Sequence, residues 1–396
     1  MNRKQQTTGY RPAVKSTIPF AATAATFAIA LVAPLGAQAA WQPSMYHEVH
    51  TNGVTYKVML SDNLPNNVCL GTNNTQAVGL DSYTGTRENA NCTVEDIVGS
   101  LIIPDKLMVN GAEKIVSTIA ARGFWGQTAL TGVVFPAEFS TFLYGRTFKD
   151  CTSLQALWFK GPPTVASGTQ NYIDIAANNN SVGRKIFTGC NALKYVLVGP
   201  NAKFYTSSNK ALSFEEQTGC RIFLPTKPGN TTWEAFETTK IGTFPVVGSN
   251  PIIVMYGPGQ ELDIEGADGT GNGKLTFTPN TAHALTNVLA AASVFKTQFG
   301  VDSKVVITNA IEAMEGTITS ELLANVSFDS LNFAVKTQAQ LDMVLDAVPV
   351  ETPLSIDPTG ATENLTVNTE NRKIYVMLPT NGTYKIRQGG FIIIVK

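Results

Sequence analysis

A stack of β-forming repeats followed by a separate C-terminal α+β domain is the fold this sequence predicts, and three observations predict it. Arg122-Gly-Phe-Trp-Gly-Gln-Thr-Ala-Leu-Thr-Gly-Val-Val-Phe135 returns 24 positions on as Arg146-Thr-Phe-Lys-Asp-Cys-Thr-Ser-Leu-Gln-Ala-Leu-Trp-Phe159. A third copy, Lys185-Ile-Phe-Thr-Gly-Cys-Asn-Ala-Leu-Lys-Tyr-Val-Leu-Val198, stands 39 positions after the second, which is one period plus a 15-residue insertion in the polar stretch 167–180. Beyond residue 258 the pattern changes to helix-like segments and a run of terminal strands. A period of this length marks a solenoid, in which no unit buries its apolar face alone and each must stack on a neighbour. Such proteins usually bind rather than catalyse.

Within the repeats a basic residue sits two before a Phe (Arg122/Phe124, Arg146/Phe148, Lys185/Phe187), a Leu sits six after it (Leu130, Leu154, Leu193), and β-formers follow. The Phe and Leu read as core and the β-formers as one short strand per unit. Three positions after the Phe come Gln127, Cys151 and Cys190, the last two small and buryable.

The chain of 396 residues fits two or three domains, and 43% apolar with 15% charged residues describes a folded chain with an uncharged polar surface. Arg3, Lys4, Arg11 and Lys15 precede an apolar run from Ile18 to Leu35 and then Ala37-Gln-Ala39, the order of an export signal cleaved after Ala39. The alternative is an uncleaved N-terminal anchor, because the run is long for a signal. No Cys follows the site, which argues against lipid attachment. Without those four residues 25 Lys plus Arg remain against 30 Asp plus Glu. That balance argues against nucleic acid as a partner, and no second apolar run is long enough to span a membrane, so a membrane is expected to be met only through the signal or anchor. The expected localisation is secreted or cell surface.

Residues 40–100 alternate β-like runs such as Val54-Thr-Tyr-Lys-Val58 with Asn/Gly/Thr turns, as a solenoid cap would. The order Asn52-Gly-Val-Thr-Tyr-Lys-Val58, Gly99-Ser-Leu-Ile-Ile-Pro104, Asn110-Gly-Ala-Glu-Lys-Ile-Val-Ser-Thr-Ile119 and then Phe-x-x-Cys-x-x-Leu units resembles the BspA-type leucine-rich repeat proteins of bacterial cell surfaces, over residues 50–240. Pro136, Gly161 and Gly199 stand where that family turns back. Cys220-Arg-Ile-Phe-Leu-Pro225 with the aromatic stretch Trp233-Glu-Ala-Phe236 resembles its terminal element. The array departs from the family in showing three full units, Gln127 in place of Cys, and the insertion. The resemblance implies partners among host or matrix proteins, bacterial surface proteins or glycans.

The expected organisation is therefore a signal peptide (1–39), an N-terminal β cap (40–100), the leucine-rich repeats (101–240), a Pro/Gly-rich linker (241–258) and the C-terminal α+β domain (259–396). In the last, Thr281 to Phe299 and Thr337 to Asp346 read as helices. Lys373 to Leu378, Tyr384 to Arg387 and Phe391 to Val395 read as strands around an Asn381-Gly382 turn.

Five cysteines (Cys69, Cys92, Cys151, Cys190, Cys220) are too few and scattered for a disulfide scaffold or zinc site. Cys69 and Cys92 could pair, whereas Cys151 and Cys190 read as small residues stacked in neighbouring coils. Asp268-Gly-Thr-Gly-Asn-Gly-Lys-Leu-Thr-Phe-Thr-Pro279 carries oxygen side chains at the calcium-loop positions of Asp268, Thr270, Asn272 and Thr276, with Pro279 where the bidentate acid belongs. A Gly-rich turn explains the stretch as well, so no cofactor is expected beyond a possible Ca2+ at Asp268, Thr270 and Asn272. Three histidines (His47, His50, His283) and no nucleophile elbow, zincin helix or phosphate loop leave little for catalysis.

Strand alternation turns Leu154, Leu157 and Phe159 inward and Gln155 and Trp158 outward, with Lys194, Tyr195 and Leu197 in matching places one unit on. These five form the expected binding face, since exposed aromatics supply contact area at low entropic cost. The competing reading covers Trp158 with the insertion or with the C-terminal domain. The function expected is binding of proteins or glycans without catalysis. The alternatives are a structural spacer or assembly module of a surface layer, and a carbohydrate-active enzyme.

Overall fold

The structure is a computed structural model. It describes residues 46–71, 92–142, 146–161, 172–174, 186–200, 202–205, 214, 217–226, 252–271, 273–313, 326–348, 352, 354–363, 365–368, 374–376 and 385–387. The expected signal segment, its cleavage site and the terminal strand at Phe391 lie outside these residues. Residues 39–396 form one compact unit.

The cap is built from β1 (His47–Thr51), β2 (Val54–Leu60) and β3 (Asn67–Leu70), paired antiparallel. Asn52 and Gly53 both take positive φ, as a two-residue hairpin turn requires. Then follow β4 (Gly99–Ile102), β5 (Lys106–Val109), β6 (Ala112–Ile119), β7 (Leu130–Phe135), β8 (Thr141–Phe142), β9 (Ala156–Phe159), β10 (Tyr172–Asp174), β11 (Tyr195–Val198), β12 (Lys203–Tyr205), β13 (Arg221–Pro225) and β14 (Ile252–Tyr256). They sort into two sheets. The strands β4, β7, β9, β11, β13 and β14 form a parallel ladder in chain order, in the register Val133↔Leu157, Leu157↔Val196, Val196↔Ile222 and Ile222↔Ile253. Between them, β6, β8, β10 and β12 form a second parallel ladder that continues the cap through β3.

The repeat residues are the core of this stack. Phe124, Phe148 and Phe187 are fully buried and their rings stack at 5.1 and 5.6 Å. A fourth ring, Phe214, continues the column at 4.8 Å. The Cys position forms a second column: Cys151 Sγ donates to Phe124 O at 3.0 Å, Cys190 Sγ to Phe148 O at 2.9 Å, and Gln217 Nε2 to Phe187 O at 2.8 Å. In these three units the side chain at this position donates to a carbonyl of the unit before it, so Cys and Gln are interchangeable as donors that reach one layer back. Gln127, in the first unit, has no such Phe layer before it and instead accepts from Ile97 N at 2.9 Å, closing the array against the cap. Phe214, Gln217 and Cys220 are thus a fourth copy, which lacks the preceding basic residue that marks the other three.

Turn glycines follow from close approach. Gly161 has φ +69 and its missing Cβ would lie 2.7 Å from Ala202 N, while a Cβ at Gly199 would fall on the carbonyl of Lys160. All five cysteines are free and buried, Cys69 and Cys92 included, so the possible Cys69–Cys92 pairing is not formed.

Beyond the ladder come β15 (Leu262–Glu265), β16 (Lys274–Pro279), α1 (Ala282–Phe299), β17 (Asp302–Val306), β18 (Ile311–Glu312), β19 (Val326–Ala334), α2 (Gln338–Ala347), β20 (Leu354–Asp357), β21 (Thr366–Asn368), β22 (Ile374–Val376) and β23 (Lys385–Arg387). Among the described residues the chain is mostly β, with these two helices. Thr281 and Thr337 cap α1 and α2, accepting from Ala284 N and Gln340 N, and Gly300 closes α1 at φ 65.

Three expectations are corrected here. The linker drawn over 241–258 contains β14, which pairs with β13 and extends the ladder, because a parallel edge with apolar Ile252–Tyr256 beside it gains a further layer of burial. The C-terminal part alternates strands and helices in one mainly parallel sheet, β15-β16-β17-β19-β20-β22, with only β15 antiparallel, instead of segregating them as α+β does. The last strands do not form a hairpin: β22 pairs with β20 and β23 with β21, each parallel, and the Asn381-Gly382 turn lies outside the described residues.

Candidate functional site

The strands β7, β9, β11 and β13 are buried on both faces. One face holds Leu157, Phe159, Val196 and Ile222 in the core of the repeat units. The opposite face holds Val134, Ala156, Trp158, Leu197 and Phe223, and these join a second core with Phe277, Leu285, Phe295 and Phe299 of the C-terminal part. Helix α1 lies across the ladder and separates it from the C-terminal sheet, in contact with β4, β7 and β9 on one side and β16, β17 and β19 on the other.

The expected binding face is the surface that α1 covers. Trp158 is 6% exposed; its Nε1 donates to Ala267 O at 2.6 Å and its ring lies 5.9 Å from Phe299. Leu197 is fully buried. Tyr195 is half-buried edge-on to Phe295 at 6.2 Å, and burial raises its hydroxyl pKa. Gln155 and Lys194 remain exposed at the margin, Gln155 Oε1 accepting from Gln298 Nε2 at 3.3 Å and Lys194 Nζ donating to Thr218 O at 2.8 Å. Arg221 Nε donates to Asn287 Oδ1 at 2.8 Å, and Ser100 Oγ to Gln298 Oε1 at 3.1 Å, so the polar rim of the contact is hydrogen-bonded as well. As a binding surface Trp158 and Leu197 are therefore corrected: they are interior packing residues, because an apolar face has a lower free energy packed under a helix than exposed to water.

The Gly-rich loop serves the same contact. Asp268 Oδ1 accepts from Thr270 N at 3.0 Å and from Thr270 Oγ1 at 2.6 Å, an Asx turn that occupies this oxygen and the Thr270 proton. Asn272 lies outside the described residues. The neighbouring Gly269 packs on Lys160, where a Cβ would lie 2.5 Å from its Cδ, and Ala267 receives the Trp158 indole. The loop is the seat of the repeat ladder. No group of three or more His, Cys, Asp or Glu side chains that could hold a metal occurs among the described residues.

A cleft of about 380 Å3 opens at the amino ends of the C-terminal strands, lined by Lys274, Lys296, Asp302, Ser303, Lys304, Val326 and Ser327. Register brings these together: Lys274 pairs with Asp302 across β16 and β17, and Lys304 with Ser327 across β17 and β19. Lys296 reaches in from the last turn of α1, its Nζ 3.8 Å from Asp302 Oδ1. Ser327 Oγ donates to Ser303 O at 3.3 Å. The Ser303 hydroxyl is buried with no hydrogen-bond partner among the described residues. No pattern along the sequence marks this cluster, since its members are scattered over 54 positions and only the strand order assembles them.

No family model matches the sequence, and no curated protein matches it. Among solved structures, a leucine rich cell surface protein from Faecalibacterium prausnitzii A2-165 is similar over 85% of this chain and 90% of that chain, at 13% sequence identity and a TM-score of 0.23.

Proposed function

We propose that the chain is an exported bacterial surface protein, built on a short leucine-rich repeat solenoid of the BspA type, that acts by binding proteins or glycans and not by catalysis. The observation that carries this reading is the four-layer column of Phe124, Phe148, Phe187 and Phe214 with its companion column of donors, the internal signature of stacked repeats. Recognition falls outside the apolar face of the ladder, since α1 occupies it.

An assembly role in a surface layer is the second reading, and one feature favours it. β4 ends the ladder with no further strand beside it among the described residues, and Val98 and Ile102 are 82% and 55% exposed there. An open edge with apolar side chains is a template for another chain.

The test is a screen of the chain from Ala40 onward against immobilised matrix proteins and a glycan panel, with sedimentation of the same sample. Saturable binding by a monodisperse protein supports recognition. Self-association with no binding to the panel selects assembly, and turnover of a polysaccharide would replace both readings.

A further inference from the structure

We infer that the open edge of β4 pairs with the same edge of a second copy of this chain, antiparallel about a two-fold axis at Leu101. The inference rests on the assembly reading and names its partner; recognition of other molecules by other surfaces is independent of it.

β4 is the unfinished end of a buried row. In register, Ile102 pairs with Val134, Val134 with Trp158, Trp158 with Leu197 and Leu197 with Phe223. The last four are at most 6% exposed, whereas Ile102 is 55% exposed. Of the six exposed large apolar side chains among the described residues, four (Val94, Val98, Ile102 and Met108) fall within positions 94–108, which contain this strand. Such a concentration marks an interaction surface. The backbone is open at the same place. Gly99 N and Ile103 N donate to Ala129 O and Val134 O, so the alternation of a parallel ladder turns the N–H and C=O of Ser100 and Ile102 away from β7. No further strand lies beside them among the described residues.

The occupant follows from charge, geometry and the state of the other ladder end. Ile97-Val-Gly-Ser-Leu-Ile-Ile-Pro104 carries no charge, so two copies lie antiparallel without like charges opposed, whereas an edge kept single is ordinarily guarded by a charge such as Lys. An axis at Leu101 sets Ser100 of each copy opposite Ile102 of the other, so the outward N–H and C=O groups of both edges meet in hydrogen-bonded pairs. Ile102 then lies diagonal to Ile102 of the second copy, which carries the apolar row across the junction. Head-to-tail growth would instead set β4 against β14, but Ile252 to Met255 of β14 are already half-buried against the two cores. Two-fold pairing uses up both β4 edges and stops at a dimer.

The experiment is sedimentation velocity of the chain from Ala40 onward over a wide range of concentrations, with hydrogen exchange of the segment 97–103 measured across the same range. A monomer–dimer equilibrium is expected, with amide protection of that segment rising as the dimer forms. Ile102→Lys should weaken the dimer about tenfold or more, by removing the buried apolar contact and setting two ammonium groups near each other, and leave the melting temperature of the monomer unchanged. A monomer at every concentration, a dimer whose 97–103 amides gain no protection or that Ile102→Lys leaves intact, or growth into open-ended polymers each overturns the pairing. Capture of a matrix protein or glycan by a strictly monomeric chain would overturn the pairing and leave recognition standing, whereas a dimer that the substitution dissolves and that captures nothing would do the reverse.

Discussion

Phe148 and Trp158 stand ten positions apart and are both buried, yet they report on different contacts. Phe148 stacks between Phe124 and Phe187 in the core of the repeat units, so Phe148→Ala should cost about 3–5 kcal/mol, read by urea denaturation. Trp158 belongs to the contact with α1 and the Ala267 loop, so Trp158→Ala should cost a similar amount, about 3–5 kcal/mol, and leave the carbonyl of Ala267 without its donor. A melting temperature unchanged by the second substitution would contradict the covered face. The thiols give a further check. Burial pushes Cys220 up to about 12 and holds Cys69 and Cys190 well above the ordinary thiol range. The folded state then binds these protons more tightly than the unfolded state. The stability they contribute is complete below the unfolded thiol value of about 8.5 and is lost as pH rises through the folded values. Alkylation at pH 8 should leave all five cysteines unmodified until the chain unfolds, with mass spectrometry counting the adducts.

Helix α1 is apolar around most of its circumference, with Ala282, Leu285, Val288, Leu289, Ala291, Ala292, Phe295 and Phe299 buried. A helix of that kind belongs between two layers. Phe295 is the residue that ties the helix to the ladder: it meets Tyr195 and Phe223 at 6.2 Å each and stacks on Phe299 at 5.8 Å. Phe295→Ala should loosen the helix from the ladder and raise acrylamide quenching of tryptophan emission as Trp158 becomes accessible. Unchanged quenching would mean that the ladder face is held closed without this side chain. The strands beneath carry a signal of the same kind. Ala156-Leu-Trp-Phe159 and Tyr195-Val-Leu-Val198 are unbroken apolar runs, the pattern of strands buried on both faces, where a one-sided sheet would alternate.

Residues 39–396 hold two hydrophobic cores that share the ladder as a common wall. Removing the C-terminal part would expose Val134, Trp158, Leu197 and Phe223 together. The two parts should therefore unfold in one cooperative transition, with tryptophan emission and far-ultraviolet circular dichroism coinciding across a urea titration. Two separated transitions would show that the contact is a weak interface between independent domains.

The repeat spacing, the core Phe and Leu, the buried Cys positions and both helices are legible in the amino-acid sequence, because they depend on local periodicity and on residue types that water excludes. The fourth unit is half legible: Phe214, Gln217 and Cys220 keep the spacing but replace Cys by another donor and Leu by a smaller apolar residue. Three features arise only in the assembled chain. The covering of the Trp158 face, the continuation of the ladder through β14 and the gathering of Lys274, Lys296 and Lys304 all depend on which distant segments meet. Alternation along a strand tells which side chains share a face, but whether that face meets water or a helix is settled by the free energy of burying it against whatever else the chain supplies.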